Sequence, residues 1–482
     1  MEYAGYLPGL KPDDVEWRNL TFDRGNESLE VAVPVLSDTQ IDALSDRVRN
    51  ASRSYLKTLT VAQIVDRIDA AITRLLDRDD PYRRKAETLL PLVTGYDTEM
   101  VRLGLTEYLK TFRKHQLHKF ITEDFANPHM LDDFQPVPKG GFARAYGPDL
   151  LLHIWAGNVP GLPLWSLVSG LLVKAGSIGK VPSAEPLFAG WFAQLMAEID
   201  PKLADCLAIV WWKGGDEGPE TKLLNQADVV LAYGGNESLA AIRARTPVTT
   251  RCLTYGHKVS FGMVSAAALD TRKALSVAHQ AAYDVIRYDQ QGCYSPHLFF
   301  VERGGKVSPQ EFCHYVANEL AAFEKKFPRR ELSIEEAGSL AAWRNAEEMK
   351  GFSQDNRQLM GDTAGAWSAI YVEDTEDLSP SGLNRTLKIV AIDRLEDAVP
   401  RIAPFKTMLQ TVGIAAAPEE LFHLAGLLGE VGVTRISALG NMTAPEPGWH
   451  HDGRFNLLDL VTLTEIEQSA DQAANAFAPY TD

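Results

Sequence analysis

The sequence predicts an α/β protein: a doubly wound parallel sheet, a second α/β region after it and a helical region before it. Three observations carry that expectation. Between residues 150 and 265, short apolar runs alternate with longer helix-like stretches, the pattern of strand–helix units that build a parallel sheet. The runs are continuously apolar, as strands covered on both faces are. Their ends are marked by Gly, Pro, Asn or Ser, at the edge where such a sheet binds its ligands.

Residues 1–140 read as a helical N-terminal region. Thr60 stands as a cap before Val61-Ala62-Gln63-Ile64-Val65-Asp66-Arg67-Ile68, with apolar residues at i, i+3 and i+4. Further helices are predicted over 80–93 and 97–124. Pro136-Val137-Pro138-Lys139-Gly140-Gly141 closes the region. A domain over 141–265 follows, with strands expected at 150–155, 177–182, 206–212 and 228–233 and helices at 163–174, 186–199, 218–226 and 236–244. The segment from Leu150 to Val173 lacks Asp, Glu, Lys and Arg and is long enough to cross a bilayer. Gly157, Pro160, Gly161 and Pro163 interrupt it and His153 and Asn158 sit within it, so strand, loop and buried helix are expected and no membrane span. Residues 266–430 form the second α/β region, with a helix over 276–287, a strand over 297–301 and a helix over 309–323. The segment 431–482 supplies a short strand, a loop rich in Pro, Gly and His, and a final helix. It is expected to serve oligomerisation or to return to the 141–265 domain.

Lys plus Arg number 48 and Asp plus Glu 64, a net charge of −16. That balance disfavours nucleic acid and anionic membranes as partners, but not a local basic pocket for a phosphate. The four cysteines, Cys206, Cys252, Cys293 and Cys313, form no CxxC pair and no metal-ligand spacing, which points to a reducing compartment. The first residues lack a basic and apolar leader, so a cytoplasmic location is expected.

Cys206 and Cys313 lie in apolar runs and read as small buried hydrophobes. Cys293 differs: Asp289-Gln290-Gln291-Gly292-Cys293-Tyr294-Ser295-Pro296 is a polar loop between helix and strand, where a scaffold displays a nucleophile. At the first strand end, Asn158 could aim its amide at an oxygen that becomes negative, or simply form a turn. At the second, Lys180 could reach ribose hydroxyls or a phosphate and Ser183 could accept a 2′-phosphate. Glu185 lies further on than the ribose-binding acid of an NAD site. The plainer reading is a surface lysine and a helix-capping serine. At the fourth, Gly234 and Gly235 could let backbone N–H groups meet a pyrophosphate, or only turn the chain. His257 or His297 could serve Cys293 as a base, which leaves a Cys–His hydrolase open.

Taken together, these motifs resemble the aldehyde dehydrogenase superfamily, and more closely its fatty acyl-CoA reductase (LuxC-type) branch. The resemblance runs from about Leu59 to Leu460. It includes Pro91-Leu92-Val93-Thr94-Gly95-Tyr96, His153-Ile154-Trp155-Ala156-Gly157-Asn158-Val159-Pro160-Gly161, the Cys293 loop and Trp449-His450-His451-Asp452-Gly453. It implies Cys293 as thiol nucleophile, Asn158 as oxyanion donor, Lys180 at the adenosine ribose, and Gly234 and Gly235 at the pyrophosphate. The superfamily's water-activating Glu falls where Thr254 stands in Thr254-Tyr255-Gly256-His257-Lys258, and threonine takes no proton at neutral pH. An acyl group on Cys293 should therefore await hydride rather than hydrolysis. The implied activity is NADPH-dependent reduction of an acyl-CoA or acyl-protein thioester to the aldehyde, with an oxidative aldehyde dehydrogenase or a non-redox acyl-transfer subunit as alternatives. A homo-oligomer and a complex with an acyl-activating enzyme are the partners implied. The nicotinamide-side string has no clear match, Ser381-Gly382-Leu383-Asn384-Arg385-Thr386 lying near its place, and the roles of His451 and Asp452 stay open.

Overall fold

A computed structural model describes residues 1–353, 356–362 and 365–479, so the last three residues of the 431–482 segment lie outside the described residues. The chain forms two compact units from non-consecutive stretches: residues 1–89, 106–256 and 446–482, and residues 90–105 and 257–445. These units are drawn differently from the expected 1–140, 141–265, 266–430 and 431–482.

The first unit is built on a five-stranded parallel sheet, in the order Arg251–Tyr255, Val229–Tyr233, Leu150–Ile154, Gly176–Lys180, Leu207–Val210. Strand order reverses between Leu150–Ile154 and Val229–Tyr233, which makes their carboxyl ends the switch point where a doubly wound sheet binds ligands. The four expected strands and four helices are present within two residues at each end. The fifth strand, Arg251–Tyr255, was not anticipated. Leu152, Ile154, Val210, Val230 and Ala232 form the sheet's core with Leu224 and Ile242, covered also by Leu44 and Val48 of the helix Asp38–Ser54.

The N-terminal stretch is not all helix. Glu16–Arg24 and Glu27–Val35 make an antiparallel hairpin around Gly25, whose φ of 56° suits glycine. Helix Val61–Leu76 opens with the expected Thr60 cap, completed by Gln63. The predicted helix over 97–124 is two helices, Thr98–Lys110 and Lys114–Asp124. The break lets Phe112 turn inward against Tyr108 and Trp165. The C-terminal stretch returns to this unit as Thr462–Ile466, antiparallel to Phe142–Tyr146.

The second unit holds a seven-stranded sheet, in the order Arg357–Gly361, Ser368–Val372, Thr386–Ile392, Pro296–Glu302, Val259–Val264, Leu409–Ala415, Arg435–Ala438. It is parallel except for Arg357–Gly361. Residues 90–105 belong here. The Tyr96 hydroxyl donates to the Tyr288 carbonyl at 3.0 Å, and a Cβ on Gly104 would stand 3.0 Å from the Tyr288 ring. Among the described residues, no helix is long and apolar enough to cross a membrane.

Candidate active site

In the first unit, the carboxyl edge of the five-stranded sheet gathers the expected residues. Gly179 lies beneath Trp155: a Cβ there would stand 1.9 Å from the indole. Trp155 Nε1 donates to Ser166 Oγ at 2.7 Å, which fixes the start of the Asn158 loop. Gly157 packs against the next loop, where its Cβ would meet Pro182 and Ala184 at 2.9 Å. The Asn158 and Ser183 loops are thus in contact, with Asn158 and Ser183 both exposed. Lys180 is partly buried, its Nζ 5.9 Å from the centre of the Trp212 ring, and burial pushes its pKa down.

Ser183 does not cap the following helix; its Oγ accepts from Trp211 Nε1 at 3.1 Å. Glu185 does the capping. Its buried carboxylate accepts from the N–H groups of Leu187 and Phe188, both at 2.9 Å, so it is not presented to a ribose. At the fourth strand end, the Gly234 N–H donates to the Tyr255 carbonyl at 3.2 Å, while Gly235 opens the helix Asn236–Arg245 without a side-chain cap. Among the described residues nothing lies within 4 Å of where a Gly234 Cβ would stand. A sheet edge with an open helix start, space over a glycine and a lysine on an indole fits a dinucleotide. Lys180, Ser183 and the Gly234-Gly235 turn are the residues that would hold it.

In the second unit, Cys293 is half-buried on the loop entering the central strand Pro296–Glu302. The loop is fixed from several sides. The Cys293 carbonyl accepts from Ser260 Oγ at 2.8 Å, and Ser260 Oγ accepts from the Thr411 N–H at 3.1 Å. The Ser295 N–H closes a turn on the Gly292 carbonyl at 3.0 Å. A Cβ on Gly292 would stand 2.4 Å from the Tyr294 ring, so the ring packs over a position only glycine leaves free.

Before the loop, Tyr288, Asp289 and Gln290 all have positive φ, as do Leu383, Asn384 and Arg385 beside it. Such backbone costs about 1–2 kcal/mol per residue and persists only where its surroundings enforce it. Here Asp289 and Arg385, both fully buried, pair at 2.6 Å. The Asn384 N–H donates to the Asp289 carbonyl at 3.0 Å. The Gln290 amide donates to the Pro296 and Thr386 carbonyls at 2.7 and 2.9 Å and accepts from the Thr386 N–H at 2.9 Å. Sequence reasoning named Gln290 only as part of a loop, and it could not see this clasp, since none of Tyr288, Leu383 or Arg385 is a turn-forming residue.

The histidines divide. His297 Nδ1 accepts from the Ser381 N–H at 3.1 Å, and burial pushes its pKa down to about 4, so it is a neutral anchor of the 381–385 segment. His257 is exposed at the start of the second unit. His451 stacks on Tyr255 at 4.5 Å and on Tyr233 at 6.2 Å, with Trp449 4.9 Å away. Tyr233 and Tyr255 end the fourth and fifth strands, so the His451-Asp452 loop lies on the same carboxyl edge, one residue from Thr254.

This architecture defines the aldehyde dehydrogenase fold. It superposes on aldehyde dehydrogenase 21 from Physcomitrella patens over 97% of this chain and 98% of that one, with a TM-score of 0.73 at 13% identity. The AldA indole-3-acetaldehyde dehydrogenase of P. syringae, solved with NAD+, matches over 96% of both chains, with a TM-score of 0.73 at 13% identity. At these identities the likeness is one of fold. Within that fold the chain belongs to the acyl-CoA reductase (LuxC) family, matched over residues 56–463. A long-chain acyl-protein thioester reductase of Photobacterium leiognathi is 24% identical over 459 residues, covering 91% of this chain and 88% of the relative.

Proposed function

We propose that this protein reduces an acyl thioester, a fatty acyl-CoA or an acyl group carried on a protein, to the aldehyde with NADPH, through an acyl group held on Cys293. The carrying observation is the clasped Cys293 loop in a chain that places Thr254, not a carboxylate, one residue before the end of its fifth strand. Membership of the acyl-CoA reductase family and the name of the relative support the reaction class.

Cys293 Sγ attacks the thioester carbonyl, a new C–S bond forms, and the donor's sulfur leaves as thiolate. The Asn158 amide and the Cys293 N–H are assigned as oxyanion donors, each contributing roughly 3 kcal/mol. Bound NADPH would supply the hydride. When the reduced carbon is released as aldehyde, the C–S bond breaks and Cys293 regains its thiolate. Thr254 has no basic group to activate water, which protects the acyl group from hydrolysis. Lys180 and Ser183 are assigned to the adenosine ribose and its phosphate, and the helix start at Gly235 to the pyrophosphate.

A panel of acyl-CoAs assayed with NADPH and NADH tests this. Loss of NADPH matched by aldehyde is the expected result. Rapid carboxylate formation from aldehyde and NADP+ would mark an oxidative dehydrogenase instead. Acylation without nucleotide binding would mark an acyl-transfer subunit.

A further inference from the structure

The first unit carries a cluster that this mechanism leaves unused. Trp211-Trp212-Lys213 follows the third strand, Leu207–Val210, at the same carboxyl edge. The Trp211 indole N–H joins this loop to Ser183. Arg18, on the N-terminal hairpin strand Glu16–Arg24, holds its guanidinium 6.0 Å from the centre of the Trp211 ring. Arg18, Trp211, Trp212, Lys213 and Asp216 are among the residues lining a cavity of about 80 Å³. The hairpin is fastened there by backbone: Tyr6 exchanges hydrogen bonds of 2.9 and 2.7 Å with Ile209 on the edge of the sheet, and Glu2–Tyr3 pairs with Glu27–Val35.

Arg18 and Lys180 thus hold their charges against the two indoles, and Lys213 lines the same cavity as Arg18. In a chain of net charge −16, three cations gathered at one strand end supply positive charge that a phosphate would meet. Asp216 is the carboxylate on the cavity wall, and it accepts from the Gly218 N–H at 3.4 Å as a helix cap. Two further acids lie nearby: Glu185 is buried in its own capping role, and Glu220 accepts from Trp212 Nε1 at 3.3 Å and is paired with Arg245. The corner thus offers cations and the Ser183 hydroxyl, whose oxygen accepts the Trp211 indole N–H, where a site selective for an unmodified ribose would present a free carboxylate.

We propose that Arg18 and Lys213, with Ser183, form the recognition corner for a 2′-phosphate, so that the N-terminal hairpin sets the choice of NADPH over NADH. This rests on the dinucleotide reading of the same sheet edge given above. A phosphate carries two charges and suits the planar donor fork of arginine, whereas a 2′-hydroxyl draws little from it.

Calorimetric titration of the full chain tests the corner without turnover. The probes are 2′,5′-ADP and ADP, then NADPH and NADH. The wild type should bind 2′,5′-ADP more tightly than ADP. Arg18→Ala and Lys213→Ala should each weaken 2′,5′-ADP and NADPH about tenfold and leave ADP and NADH unchanged, with Arg18→Lys in between. Arg18 is exposed, so thermal unfolding of its variants should match the wild type. Variants that weaken all four ligands equally, or none, overturn the proposal. Wild-type protein that binds ADP and 2′,5′-ADP equally overturns it while leaving acyl reduction standing; binding of no nucleotide overturns the proposed function itself.

Discussion

A methyl group at position 292 would have to displace the Tyr294 ring from 2.4 Å, and one at 179 the Trp155 indole from 1.9 Å. Both rings belong to the loops proposed to carry function, so the two glycines are spacers for the Cys293 loop and the Lys180 strand end. Gly179→Ala should lower stability by about 1–3 kcal/mol, the usual cost of overpacking, read as a fall in the urea midpoint. Gly292→Ala should slow alkylation of Cys293 by iodoacetamide several-fold; an unchanged rate would show that the ring moves freely. At this scale the sequence was partly legible. Cys293 stood out because a thiol on a Gly- and Pro-marked loop differs from Cys206 and Cys313 in apolar runs. Gly292 and Gly179 read only as turn and strand residues, because a neighbour's ring position is not written in local sequence. Ser183 was open between a cap and a phosphate ligand, and the structure gives the cap to Glu185.

The strands and helices of the first unit were legible because burial on both faces leaves continuous apolar runs and amphipathic stretches between them. The strand Arg251–Tyr255 escaped because it lies at the sheet edge, with Arg251 exposed and Cys252 and Thr254 half-exposed. The N-terminal hairpin escaped because its first strand, Glu16–Arg24, is largely exposed and charged. Least legible were the two left-handed turns at 288–290 and 383–385. They are joined by Asp289 and Arg385, with the Arg385 guanidinium also 2.6 Å from Glu324 and the Arg330 N–H 2.9 Å from Asp289. Removing one partner strands a buried charge, which costs about 3–5 kcal/mol. Asp289→Asn should therefore lower the urea midpoint strongly and should also slow Cys293 acylation, since the turn is the start of the loop that carries Cys293. Stability lost with acylation unchanged would show that the clasp serves only the fold.

Across the whole molecule, buried histidines tie folding to pH. His297 has its pKa pushed down to about 4 and His153, fully buried with neither ring nitrogen hydrogen-bonded among the described residues, to about 3. The folded state keeps both neutral, while the unfolded chain binds protons below about pH 6.5, so their contribution is complete above 6.5 and lost as pH falls toward 4 and 3. Asp284 works in the opposite sense: burial pushes its carboxyl up to about 7, so its contribution declines as pH rises from about 3.8 to 7. A difference measurement isolates one group. The stability gap between wild type and His297→Gln should narrow by about 2 kcal/mol from pH 7 to pH 5 in urea unfolding, and a constant gap would mean that His297 is not held neutral. The division into two units, with 90–105 in one and 446–482 in the other, follows from long-range partners such as Tyr96 with Tyr288 and could not be read from composition along the chain. The central claim, an acyl group held on Cys293 for reduction, is tested most directly by intact-protein mass spectrometry after mixing with a long-chain acyl-CoA. One acyl group should be found on Cys293 without NADPH, should persist in water, and should leave as aldehyde when NADPH is added, with Cys293→Ala taking up none. Aldehyde formed by Cys293→Ala at the wild-type rate would contradict it.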